Sequence, residues 1–108
     1  MKKLSKINEI YNNKELKEMD IKQQELWLRS KIVIQFITLR KEKGFTQAAI
    51  ANKMGVIRQQ ITRFENMENS PTIFFLVKYA SALDTELDVL LRGVTLMEVS
   101  NEQWLTIH

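Results

Sequence analysis

Arg58, Gln59, Gln60, Thr62 and Arg63 fall within six residues, directly after Gly55. Arginine and glutamine carry planar groups that hydrogen-bond at more than one point. An arginine fork matches the two major-groove acceptors of guanine, and a glutamine amide matches the acceptor and donor of adenine. Such a cluster is suited to reading base edges in duplex DNA. The competing reading is a solvated helix face, for which the same residue types are ordinary. Other chemistry finds little material here. The chain has no cysteine, and His108, its one histidine, is the last residue. No carboxylate pair, phosphate-cradling glycine loop or nucleophile beside a histidine base is present. The expectation is a protein that is not an enzyme and that has no metal site and no cofactor.

A reading face must be held by its neighbours. Thr46 has the chemistry of an N-cap for a helix through about Met54. Gly55 then permits a turn with positive φ, and a further helix runs from about Arg58 to Asn66. Two short helices joined by a tight glycine turn form a helix-turn-helix. Ala51 is small enough for the helices to cross closely, while Ile50, Met54, Val56, Ile61 and Phe64 fill the inner faces. Arg58, Gln59, Thr62 and Arg63 are left outside, and within this motif DNA contact outweighs the solvated face. Gln47 begins the first of the two helices, where its amide joins free backbone N–H groups suited to phosphate.

The flanking segments follow the same logic. From Asp20 to Lys43, Ile21, Leu28, Ile32, Phe36 and Leu39 recur at helical spacing, widened by Trp27, Val33, Ile34 and Ile37. Asp20 or Ser30 caps the start, and Gly44 suits the position after the end. "ENSPT" reads as a loop, with Thr72 capping a helix to about Leu83. Beyond Asp84, Leu87, Val89 and Leu91 alternate with Asp88, Leu90 and Arg92, the pattern of a half-buried strand. A short helix from Glu86 to Leu91 competes with it.

The chain of 108 residues, 44% hydrophobic and 27% charged, has room for one modest core. Residues 1–43 hold eleven Lys/Arg against six Asp/Glu, whereas residues 67–108 hold two against six. The basic front is suited to a polyanion, or is a solvated lysine-rich helix surface. No apolar run approaches the about 18 residues of a membrane span. The first residues lack the apolar block of a signal peptide, so no membrane partner and a cytoplasmic location are expected.

The segment "LRKEKGFTQAAIANKMGVIRQQITRFENMENSPT" resembles the Cro/CI-type (XRE) helix-turn-helix family. The resemblance covers about residues 30–84 and implies an all-α, four-to-five-helix DNA-binding domain. It places an N-terminal, partly helical extension at 1–29 and a dimerisation or partner-binding segment, strand or helix, at 85–108. It implies that Arg40 and Glu65 form a salt bridge between the first and third helices. It also implies that Gln47 contacts the DNA backbone and that Arg58, Gln59, Thr62 and Arg63 form the base-reading face, beside Gln60. The sequence departs from the family at Ile57, where a capping serine or threonine is usual, at Met67, usually glycine, and at Glu68, often basic. Phe74 and Phe75 replace polar residues and need cover.

The two flanks are similar to those of HigA-type antitoxins. That resemblance implies a homodimer on double-stranded operator DNA, with a cognate toxin as a further partner. Phe74, Phe75, Leu87, Val89 and Leu91 are the candidate contact surface. The function implied is a repressor acting on its own promoter. The alternatives are a stand-alone phage or mobile-element regulator and an interaction module that keeps the fold without binding DNA.

Overall fold

A computed structural model of the chain describes residues 19–96. The expectations for 1–18 and 97–108 lie outside them. Among the described residues five helices follow one another: α1 (Ile21–Glu42), α2 (Gln47–Met54), α3 (Arg58–Glu65), α4 (Ile73–Ala82) and α5 (Leu87–Leu96). There is no strand among the described residues.

Three of the starts are capped by short polar side chains. Asp20 Oδ1 accepts from the Gln23 N–H at 2.8 Å. Thr46 Oγ1 accepts from the Ala49 N–H at 3.0 Å, and Thr72 Oγ1 from the Phe75 N–H at 3.0 Å. Each satisfies one of the donors that a helix start leaves without a partner. At α3 the cap position is Ile57, which supplies no side-chain bond.

The turn between α2 and α3 depends on backbone conformation. Gly55 sits at φ 71°, and the Val56 N–H returns to the Ala51 carbonyl at 3.0 Å. A Cβ added at Gly55 would meet nothing within 4 Å, so a side chain there is opposed by the backbone alone. Gly55→Ala is expected to cost about 1 kcal/mol and to lower the melting temperature by roughly 4–8 °C. A thermal melt unchanged from the parent would contradict this.

The core gathers where all five helices meet. Phe36 of α1, Phe64 of α3 and Tyr79 of α4 pack as an aromatic trio, with ring centroids 4.7–5.6 Å apart. Val33, Ile50, Ile61 and Leu83 are fully buried around them. Phe75 is covered within the chain, with its ring 5.3 Å from that of Phe64. Phe74 points outward and is 72% exposed.

Of the strand and the helix that the sequence allows around Leu87, Val89 and Leu91, the helix is the one formed, and it continues to Leu96. In α5, Leu90 and Val94 are buried and Leu87 is partly buried against the core, while Val89 is 49% exposed. The spacing 87, 90, 94 is helical. A Cβ on Gly93 would lie 2.6 Å from Gln35 Nε2, the end of a flexible side chain on α1.

α1 buries the later part of the stripe that its apolar residues outline: Val33, Ile34 and Phe36 are buried, and Ile32, Ile37 and Leu39 pack against the core. Arg29 and Arg40 are buried too, whereas Ile21 and Leu28 are exposed. The helix runs unbroken through residue 30.

Candidate nucleic-acid interface

One buried carboxylate joins four helices. Glu65 Oε1 accepts from Arg40 Nη2 at 2.8 Å and from Gln47 Nε2 at 3.0 Å. Its Oε2 accepts from Arg40 Nε and from the Tyr79 hydroxyl, each at 2.8 Å. Arg40 comes from α1, Gln47 from α2, Glu65 from α3 and Tyr79 from α4, so the bonds fix all four against one another. Arg40 Nη1 also donates to the Phe45 carbonyl at 2.8 Å. Among the described residues no buried side-chain N or O lacks a partner, which is the condition under which buried charge is tolerable.

This environment affects Tyr79. Burial, and then the adjacent Glu65 carboxylate, hold its hydroxyl well above the ordinary tyrosine value of 10.0. The folded-state value therefore exceeds the unfolded one, and the protonated form is favoured by folding. The resulting stability is complete below pH 10.0 and is lost progressively as pH rises above it toward the folded value. Tyr79→Phe removes this contribution, so its melting temperature is expected to fall less steeply than the parent's above pH 10.0. Equal slopes in paired alkaline melts would contradict the assignment.

A second set of bonds holds the loop after α3. Arg29 Nε donates to Glu25 Oε2 at 2.7 Å, a second nitrogen donates to Oε1, and Nη1 reaches the Met67 carbonyl at 3.2 Å. The Ser70 hydroxyl donates to the same Glu25 at 3.0 Å. The hydrogen bond from Arg29 foremost holds the Glu25 carboxyl below its usual range. Met67 has φ 60°, a conformation suited to glycine, and these bonds help to fix it. Sequence reasoning did not assign Glu25 and Arg29 to this task. Their i,i+4 spacing shows that they can pair, but says nothing about the loop that they grip.

Against this frame α3 presents its outer side. Arg58, Gln59, Gln60 and Arg63 are exposed, and Thr62 is half-buried. Ile57, Arg58, Gln59, Thr62, Arg63 and Glu68 line one concavity. Gln60 belongs to a neighbouring groove with Asn69, Ser70 and Thr72, and Arg63 borders both. The side chains of Arg58 and Arg63 form no ion pair or hydrogen bond among the described residues. Gln47 and Thr62 are placed differently from the rest of the expected set. The Thr62 hydroxyl donates to Gln47 Oε1 at 3.0 Å, and the Gln47 amide donates to Glu65. The Gln47 side chain thus links α2 to α3 rather than standing free.

The arrangement offers exposed guanidinium and amide groups, without partners among the described residues, on a helix narrow enough for a major groove. Among the described residues no group of three His, Cys, Asp or Glu side chains could hold a metal ion. No helix among them is long and apolar enough to cross a membrane.

Helix-turn-helix geometry, an outward α3 and a buried Arg40–Glu65 pair define the class. The model of the helix-turn-helix family HTH_3 matches residues 37–90, and the chain belongs to that family. It is 36% identical over 69 residues to the antitoxin HigA1 of Mycobacterium tuberculosis, covering 64% of this chain and 46% of the relative. It is 38% identical over 53 residues to the HTH-type transcriptional regulator SinR of Bacillus subtilis, covering 48% of each. The crystal structure of an HTH_3 family transcriptional regulator from Vibrio cholerae matches with a TM-score of 0.61 and 32% identity. That match covers 67% of this chain and 41% of the other. The chain spans about half the length of the curated relatives it matches.

Proposed function

We propose that this protein is a sequence-specific DNA-binding transcriptional repressor, with α3 as its recognition helix. One observation carries the reading. Glu65 on α3 is gripped by four donors, while the side chains of Arg58, Gln59 and Arg63 on the same helix are exposed and have no partner among the described residues. A helix fixed on one side and hydrogen-bonding on the other suits base readout. Repression follows from occupancy of promoter DNA and needs no catalysis. The test is a mobility shift on duplex DNA from its own promoter at two salt concentrations. Specific complexes that weaken with salt are expected, and equal binding to scrambled duplex would refute the reading.

The likeness to HigA1 extends the proposal to an antitoxin that represses its own operon and binds a toxin. The likeness to SinR favours a second reading, a regulator that works without a toxin. Co-expression with the adjacent gene, followed by pull-down, separates the two.

The working unit proposed is a homodimer. One α3 covers about one half-site, and joining two raises affinity through effective concentration. Ile73, Phe74 and Val77 form an exposed apolar side of α4, and Val89 adds an exposed apolar residue on α5. Leu87 and Leu91 are half-buried. Sedimentation at micromolar concentration is expected to show a dimer. A monomer that stays a monomer on adding DNA would contradict it.

A further inference from the structure

α3 closes in a way that its sequence resists. The Met67 N–H returns to the Phe64 carbonyl at 3.1 Å and the Glu68 N–H to the Arg63 carbonyl at 2.9 Å, with Met67 at φ 60°. This paired closure ordinarily has glycine at the left-handed position, because a Cβ there is strained. Here a buried arginine holds it. Arg29 Nη1 donates to the Met67 carbonyl at 3.2 Å, while Nε and Nη2 are held by Glu25. The Ser70 hydroxyl ties the far end of the loop to the same Glu25. Between these two ties lie Glu68 and Asn69. Glu68 lines the concavity with Arg58 and Gln59, and Asn69 and Ser70 line the groove with Gln60. Glu25 and Arg29 precede residues 37–90, the part that the family model matches. An arm outside that part therefore sets the wall of both hollows beside α3.

We propose that Arg29, aimed by Glu25, is a positioning residue for DNA binding: by holding Met67 in its left-handed conformation, it fixes the loop beside the recognition helix before DNA arrives. A loop ordered in advance costs less to bind. The inference rests on α3 being the recognition helix and adds the device that keeps its surroundings ready.

The test compares full-chain variants by thermal melt and, at a temperature where each is folded, by binding to duplex DNA from the protein's own promoter and to scrambled duplex. Arg29→Met removes the donors and keeps an apolar stem. It is expected to lose about tenfold on promoter DNA, the scale of one hydrogen bond from a charged group. Met67→Gly takes positive φ without help. It is expected to restore Arg29→Met to within about twofold of the parent, and to gain less than about twofold in the parent itself. A purely structural arginine would give a folded Arg29→Met of parental affinity, and that result overturns the inference. So does a loss that Met67→Gly leaves in place, or a double variant that does not fold. A parent that binds promoter and scrambled duplex alike overturns the recognition role of α3 itself, and the inference with it.

Discussion

Arg40→Ala is expected to destabilise the fold by about 3–5 kcal/mol, the scale for breaking a buried ion pair from one side. The side chains of Arg40 and Glu65 are only 8% and 5% exposed, and the guanidinium supplies two of the four bonds to the carboxylate. Removing it leaves Glu65 charged and buried, with Tyr79 and Gln47 as its remaining donors. Against the about 5–15 kcal/mol by which domains are ordinarily stable, such a loss is severe. Arg40→Ala/Glu65→Ala should cost less than the sum of the single changes, since neither charge is then stranded. Urea denaturation of the parent and the three variants measures both statements. An Arg40→Ala variant within about 1 kcal/mol of the parent would show that the pair is not a keystone of the fold.

The local punctuation of the chain was legible because it is local chemistry. Asp20, Thr46 and Thr72 each cap the helix that begins after them, and Gly44 and Gly55 hold positive φ. The face of α1 was harder to read, because two of the residues along its buried stripe are Arg29 and Arg40. Apolar pattern alone counts an arginine as outward; the resemblance pairs Arg40 with Glu65, and Glu25 lies four residues before Arg29, but neither pairing shows which side of α1 faces the core. Leu87, Val89 and Leu91 satisfy a strand's period, yet Leu87, Leu90 and Val94 satisfy a helix's. A short apolar run does not decide between them. Docking on α1 is the tertiary contact that accompanies the helix.

The outer residues of α3 were read correctly as exposed at Arg58, Gln59 and Arg63. The bonds of Gln47 and Thr62 were not foreseen, because they depend on how α2 crosses α3.

Loss of base recognition is the second large effect expected. Arg58 and Gln59 lie in the first turn of α3, and Arg63 lies five residues beyond Arg58, about 1.4 turns on. On the proposed reading, the first two reach base edges, and Arg63 a base or the flanking phosphate. Arg58→Ala and Gln59→Ala should each cost about 1–3 kcal/mol on the operator and relax preference at one position per half-site. Both side chains are exposed, so the melting temperatures should stay near the parent's. Gln47→Ala should weaken all sequences alike, because its effect passes through the backbone and the seating of α2 on α3.

The most direct measurement is a binding series for the parent, Arg58→Ala and Gln59→Ala, on operator and scrambled duplexes at two salt concentrations. Recognition by α3 predicts that both variants keep the parent's melting curve, lose about 10- to 100-fold on operator and change little on scrambled DNA. Variants that bind operator as tightly as the parent, with the same preference over scrambled DNA, would contradict it.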